Sequence, residues 1–249
     1  MLLLMKLFYN EPGHIGMRPL GAPEDETLQQ IQQPEVAKVR TKVFMRQAQR
    51  TGTFGNLIGI HFWGCAGHAI IIAFLVKIAE DADVSPGSAA GLFVALSVVS
   101  TVSRFWVPIV ADRIGSKWAM AFCFFMQCAP IVILFFAHDP WVFYLFAVLF
   151  GIGFGGEMSA FPIINRQYYG SAPIGTAFGW QMMGAGIGMA AGVAVGGILR
   201  DITGTWNPTV AVSLVLSLVG VVSILVLPTT SRHQLPHWED AIPPEVVFN

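Results

Sequence analysis

Two charged side chains stand inside long apolar runs of the sequence. Arg104 lies in the run Ala89–Ala111, eight residues before Asp112. On a helix rising about 1.5 Å per residue, that is roughly 12 Å in from the end of the run. A charge at that depth in lipid costs at least about 2.5–3.5 kcal/mol. A guanidinium keeps its charge and offers a planar fork that matches a carboxylate bidentately. Two readings follow for Arg104: contact with an anionic substrate, or a structural role, snorkelling to headgroups or pairing with Asp112. Glu157 is the one carboxylate well inside a run, seven residues before Ile164 and near the depth of Arg104. A carboxylate there suits proton transfer. The expectation is that Glu157 pairs with Arg104 when no substrate is bound, and that protonation of Glu157 frees Arg104 for an anion. The alternatives are a static ion pair or a carboxyl at a dry helix contact.

His61, Cys65 and His68 recur at i, i+4 and i+7, on one face of one helix. The types suit a metal, but one helix rarely completes a metal site and no second His/Cys cluster exists, so no metal is expected. That face instead lines a cavity, with His68 or His61 as donor or proton relay, or else carries satisfied structural histidines. Gln181 is a further candidate for a cavity wall. Gly184, Gly188, Gly192 and Gly196 form three successive G-x-x-x-G steps, a smooth face for close helix approach in lipid. Gly151–Gly156 fits G-x-G-x-x-G by letter, but no strand precedes it; dinucleotide binding is rejected and a loosened helix near Glu157 is expected. Pro130 and Pro162 are candidate kinks. No nucleophile triad, phosphate loop or paired acids stand in the chain, so no enzyme and no cofactor is expected. Cys65, Cys123 and Cys128 all fall in apolar runs and read as packed thiols.

The elements that must position these residues follow from composition. Of 249 residues, 54% are hydrophobic and only 12% charged, with a net charge of −1 and a mean hydropathy of +0.62. A soluble domain carries about twice that charge, and nucleic-acid binding needs a basic excess. Six runs reach the roughly 20 residues that a bilayer requires: Phe54–Val76, Ala89–Ala111, Trp118–Ala137, Trp141–Ile164, Ile174–Leu199 and Pro208–Pro228. The expected fold is therefore an all-α membrane domain of six transmembrane helices in a lipid bilayer. Eleven Lys and Arg fall on one side of the spans, against Lys77 and Arg200 on the other, which places both ends in the cytoplasm. Trp141, Tyr144 and Trp206 fit the outer interface, and Trp118, Tyr168 and Tyr169 the inner one. Asn10 to Gln33 reads as a polar linker. The apolar Met1–Met5 reads as the last turn of a preceding helix. Pro34–Arg50, with Val36, Val39, Val43 and Phe44 at helical spacing, reads as an amphipathic helix on the inner leaflet.

Six helices after a basic linker resemble the C-terminal half of a major facilitator superfamily transporter. Glu11–Gly21 is similar to the segment after that family's sixth helix. Ala111-Asp112-Arg113-Ile114-Gly115-Ser116-Lys117 resembles its cytoplasmic loop motif, although Pro108 stands where a glycine is usual and Ser116 replaces an arginine. Tyr168-Tyr169-Gly170 through Gly175 and Gly179 is similar to the loop before helix eleven. Gly67-His68-Ala69, Arg104 and Gly196–Gly204 look most like the monocarboxylate and oxalate/formate branch. The resemblance implies secondary transport of a small organic anion, a monocarboxylate rather than a dicarboxylate, since the lysine of that branch's helix eleven has no counterpart here. It implies substrate at Arg104; joined to the readings of the residues above, the expected substrate contacts are Arg104, His68, His61 and Gln181, the proton carrier is Glu157, and Asp112 and Arg113 form the cytoplasmic gate. It also implies an N-terminal six-helix half as partner, in the inner or plasma membrane. The expected organisation is a linker with its helix over residues 1–53, the six-helix domain over 54–229 and a cytoplasmic tail over 230–249. The competing reading is a membrane half-module that binds a partner chain and moves nothing.

Overall fold

The computed structural model describes residues 16–17 and 34–243; the expectations for the apolar start and most of the polar linker lie outside them. Helix α1 (Pro34–Ala48) leads into α2 (Gly52–Glu80), α3 (Pro86–Ile114), α4 (Ser116–Cys128), α5 (Pro140–Tyr169), α6 (Gly175–Thr203) and α7 (Asn207–Val226). A 3-10 stretch, Ala129–Phe135, continues α4. With it counted into α4, six helices are long and apolar enough to cross a membrane, as the six runs predict. Among the described residues there is no strand.

The punctuation explains the boundaries. Thr51 caps α2 by accepting the Phe54 amide. Pro86, Pro140 and Pro208 sit in first helical turns, where the missing N–H costs nothing. Gly115 ends α3 at φ +88° and Gly170 ends α5 at φ +57°, backbone angles a side chain resists. Pro130 stands where α4 tightens into the 3-10 stretch. Pro162 lies inside an α5 that continues without interruption to Tyr169.

In a span that is apolar all round, hydropathy does not choose which face turns inward. Glycine does. The Gly184–Gly196 face of α6 lies on α2: a methyl on Gly188 would collide with the Phe62 carbonyl oxygen, and one on Gly192 with that of Ala66. Close backbone approach supplies the contact that hydrophobicity cannot supply within lipid. The glycines of α5 act likewise, which corrects the expected loosening: Gly151 and Gly155 press on α3 at Leu96 and Ser100, and Gly153 and Gly156 on α4 at Cys123. Gly67 brings α2 onto α7, where Ser213 donates to its carbonyl at 2.7 Å, and Gly64 makes room for the Phe124 ring of α4 beside Gly220 of α7. Gly188→Ala is expected to cost about 1–3 kcal/mol by overpacking and to lower the melting temperature in detergent. Gly186→Ala, on open space two residues away, should be neutral or slightly stabilising, since alanine is the better helix former. Equal melting temperatures for the two variants would refute this packing.

Two apolar clusters result. One gathers Phe124, Phe161, Ile164 and Tyr168 with α1 and the tail. The other gathers Leu75, Leu92, Phe143, Phe146 and Phe150. The first also absorbs features expected at the membrane surface. Phe44, Met45 and Ala48 of α1 pack into it rather than onto lipid, with Phe44 edge-on to Tyr169 and to Trp238. Tyr168 and Tyr169 are buried within the protein, and Tyr168 donates to the Pro228 carbonyl at 2.6 Å. Arg40 pairs with Glu239 and lies over the Trp238 ring, holding the tail against α1. At the opposite end, Asp81 accepts from Lys77, Trp206 and Arg200. These bonds hold its carboxyl down at about 2, Lys77 contributing most. A depressed carboxyl stabilises above its ordinary range, and the contribution fades as pH falls from there toward 2.

Candidate functional site

The stretch between the two clusters is where polar groups collect. On α5, Glu157 lies between Phe150 of one cluster and Phe161 of the other; on α2, His61, Cys65 and His68 lie between Ile60 and Ile71. Helix α6 forms a third wall with Met182, Ala185, Met189 and Val193, and together these walls line a half-open cavity of about 460 Å³. Its lining is mostly aliphatic, aromatic and thioether, with His61, Cys65, His68 and Glu157 as the polar positions. An apolar chamber with few polar groups is the usual form of a small-molecule site.

Glu157 is wholly buried. Gln127 of α4 donates to its Oε2 at 2.7 Å. His68 Nδ1 stands 3.4 Å from the same oxygen, and Cys65 Sγ lies 4.0 Å from Oε1. His68 Nδ1 makes no hydrogen bond of good geometry, although its side chain is only 4% exposed. His61 stacks on Phe161, its Nδ1 at 3.0 Å from the Leu57 carbonyl, while its Nε2 is buried and unpartnered. Burying a carboxylate without compensation is expensive, so the hydrogen bond from Gln127 and the neighbouring imidazole are what make this position tenable.

The expected pair of Glu157 with Arg104 is not formed. Packing of the α5 glycines turns Glu157 toward α2 and α4, whereas Arg104 is exposed on α3, next to Phe105, which is 76% exposed. Arg104 makes no ion pair with a described residue, Asp112 included; its carbonyl accepts from Ser159 of α5 at 3.3 Å. The side of α3 that carries it is open, since only 22% of that span's apolar window is buried within the chain, against 61% for α2.

Gln181 is buried in a reciprocal amide pair with Asn165, at 2.8 and 2.9 Å. This ties α6 to α5 and satisfies the amide from within the protein. Asp112 and Arg113 are exposed at the end of α3. Just beyond them, Ser116 donates twice to Gln167 and Lys117 donates to the Leu227 carbonyl, lashing the start of α4 to the ends of α5 and α7. Sequence reasoning passed over Gln127 and Asn165. Each is an uncharged amide inside an apolar helix, a residue type whose burial without a partner is costly, and that is the signal that could have found them.

The Major Facilitator Superfamily model matches residues 57–246, a stretch that takes in five of the six membrane-length helices whole and α2 from Leu57 onward. No curated protein matches the chain. The match covers well over half of the sequence and coincides with a multi-pass integral membrane fold whose glycine-packed helices line a half-open cavity; the chain belongs to the major facilitator superfamily, a family of membrane transporters.

Proposed function

We propose that this chain acts as one half of a secondary transporter that moves a small organic anion, a monocarboxylate, by alternating access. The observation that carries this reading is Glu157, a wholly buried carboxyl on the wall of a 460 Å³ cavity with an imidazole beside it. Functional ionisable groups inside membranes characteristically mark substrate or proton pathways. In this reading Glu157 carries the coupling proton, His68 and His61 offer hydrogen bonds to the substrate, and the walls formed by α5 and α6 take its apolar part. Arg104 supplies the cationic contact from the open side of α3, which a second six-helix half would cover. Gln181 acts through its tie to Asn165, and Asp112 and Arg113 serve the cytoplasmic gate. Both ends of the chain lie in the cytoplasm, by the lysine and arginine asymmetry.

The test is uptake of a radiolabelled monocarboxylate into proteoliposomes that hold this chain and its N-terminal six-helix partner. An inward proton gradient should accelerate uptake, and a protonophore should collapse it. Absence of uptake under every imposed gradient, with both halves inserted, would refute the transport reading in favour of a partner-binding module.

A further inference from the structure

One helix alone leaves the His61, Cys65, His68 set incomplete, but the fold brings a fourth residue to it. The ligand atoms of Cys65, His68 and Glu157 lie within 4.8 Å of one another, all three residues buried. We propose that these three side chains form a binding site for a divalent transition-metal ion of the zinc class, with its fourth coordination position open to the cavity.

The donor set decides the class of ion. A sulfur, an imidazole nitrogen and a carboxylate oxygen suit a borderline-soft cation, whereas magnesium and calcium take oxygen ligands alone. Metal–ligand bonds of about 2.0–2.3 Å in a tetrahedral site set ligand atoms about 3.3–3.8 Å apart. His68 Nδ1 and Glu157 Oε2 are already at 3.4 Å. Cys65 Sγ lies 4.0 Å from the other carboxylate oxygen, Oε1; with one atom taken from each residue the set spans up to 4.8 Å, so it must contract by about 1 Å for one ion to hold all three.

Three further features point to a ligand. His68 Nδ1 is buried beside the carboxylate without a hydrogen bond, and in the tautomer protonated at Nε2 it presents a free lone pair to a cation. Gln127 donates to Oε2 of the carboxylate and fixes its orientation, the part played by outer-shell donors at metal centres. Charge also balances: a thiolate, a carboxylate and a neutral imidazole sum to −2, which a dication cancels in a low-dielectric setting. Binding displaces the thiol proton, and the carboxyl proton if present, to solvent. Three protein ligands and one open position is the arrangement of zinc sites that exchange their fourth ligand.

Cobalt(II) titration of the purified full chain in detergent tests the site without any transport assay. One equivalent of Co²⁺ should produce a thiolate-to-cobalt charge-transfer band and the intense visible bands of four-coordinate cobalt, both bleached by one equivalent of Zn²⁺. Cys65→Ser should remove the charge-transfer band, and Glu157→Gln should weaken the apparent affinity at least tenfold. Cys128→Ser, a thiol outside the cluster, should match the parent protein. Each variant is compared at equal melting temperature and a single size-exclusion peak. A parent protein with no saturable cobalt band overturns the proposal, as does a charge-transfer band that survives Cys65→Ser. A bound ion occupies the Glu157 and His68 atoms that the transport reading gives to the proton and the substrate, so metal and proton compete there; transport itself is measured separately as uptake, and neither overturning result decides it.

Discussion

Replacing Arg104 by alanine is expected to reduce monocarboxylate uptake by the assembled transporter tenfold to a hundredfold. A hydrogen bond to a charged group contributes about 1.5–3 kcal/mol, and each 1.4 kcal/mol is a factor of ten in an equilibrium constant. The guanidinium makes no ion pair with a described residue of its own chain, and it stands on the least covered of the six spans. Removing it therefore leaves no orphaned carboxylate among the described residues and should not unfold the protein, so the effect should appear in uptake and not in the melting temperature. Arg104→Lys keeps the charge but loses the planar fork, and should fall between the two, with the loss in apparent affinity. Asp139→Ala, at an exposed turn, is the control that should leave uptake intact. If Arg104→Ala transports at the parental rate when inserted at parental levels, Arg104 does not contact the substrate.

Glu157→Gln should remove the pH dependence of uptake, the second large effect. Glutamine matches the protonated carboxyl in shape but cannot release a proton. The groups facing Glu157 are His68, His61 and Cys65 from α2, and Gln127 and Cys123 from α4. In the parent protein, acidification loads Glu157 and promotes inward movement with the anion, so uptake rises as pH falls on the entry side. In the variant that slope flattens and net proton-driven uptake is lost, while exchange of anion for anion persists. His68, at 3.4 Å, stands nearer than the Cys65 thiol at 4.0 Å, and His68→Gln separates it from Glu157: the variant should shift the pH profile without abolishing it. An unchanged pH profile in Glu157→Gln would end the proposal that this carboxyl carries the proton.

The sequence and the structure agree wherever the deciding quantity is additive along the chain. Six apolar runs of membrane length become six membrane-length helices, because in lipid every backbone N–H and C=O must be satisfied within its own segment. Proline at the entries and glycine at the exits mark the ends, as at Pro86, Pro140, Gly115 and Gly170. The glycine face of α6 was legible from its spacing of four, although not the helix it packs on. The link after α5 is shorter than its composition indicates. Arg166, Gln167, Tyr168 and Tyr169 are polar enough to read as a loop, yet they complete the last turn of α5 because Tyr168 and Tyr169 find cover under α1 and the tail.

By itself the sequence determined the class of protein, the number of spans and the short roll of ionisable residues inside them. It did so because low charge and unbroken apolar length admit few other structures. Only the tertiary structure decided which of those residues meet. Arg104 and Glu157 share a depth, and depth is all that distance along the chain can measure. Rotation about each helix axis is set instead by packing between helices, here by Gly155 on Ser100, Gly153 on Cys123 and Gly192 on Ala66. In spans apolar on every side, the 3.6-residue period that reports rotation in a soluble helix is missing. That rotation turned Glu157 away from Arg104 and toward His68, Cys65 and Gln127, and so joined the two candidate sites that the sequence held apart.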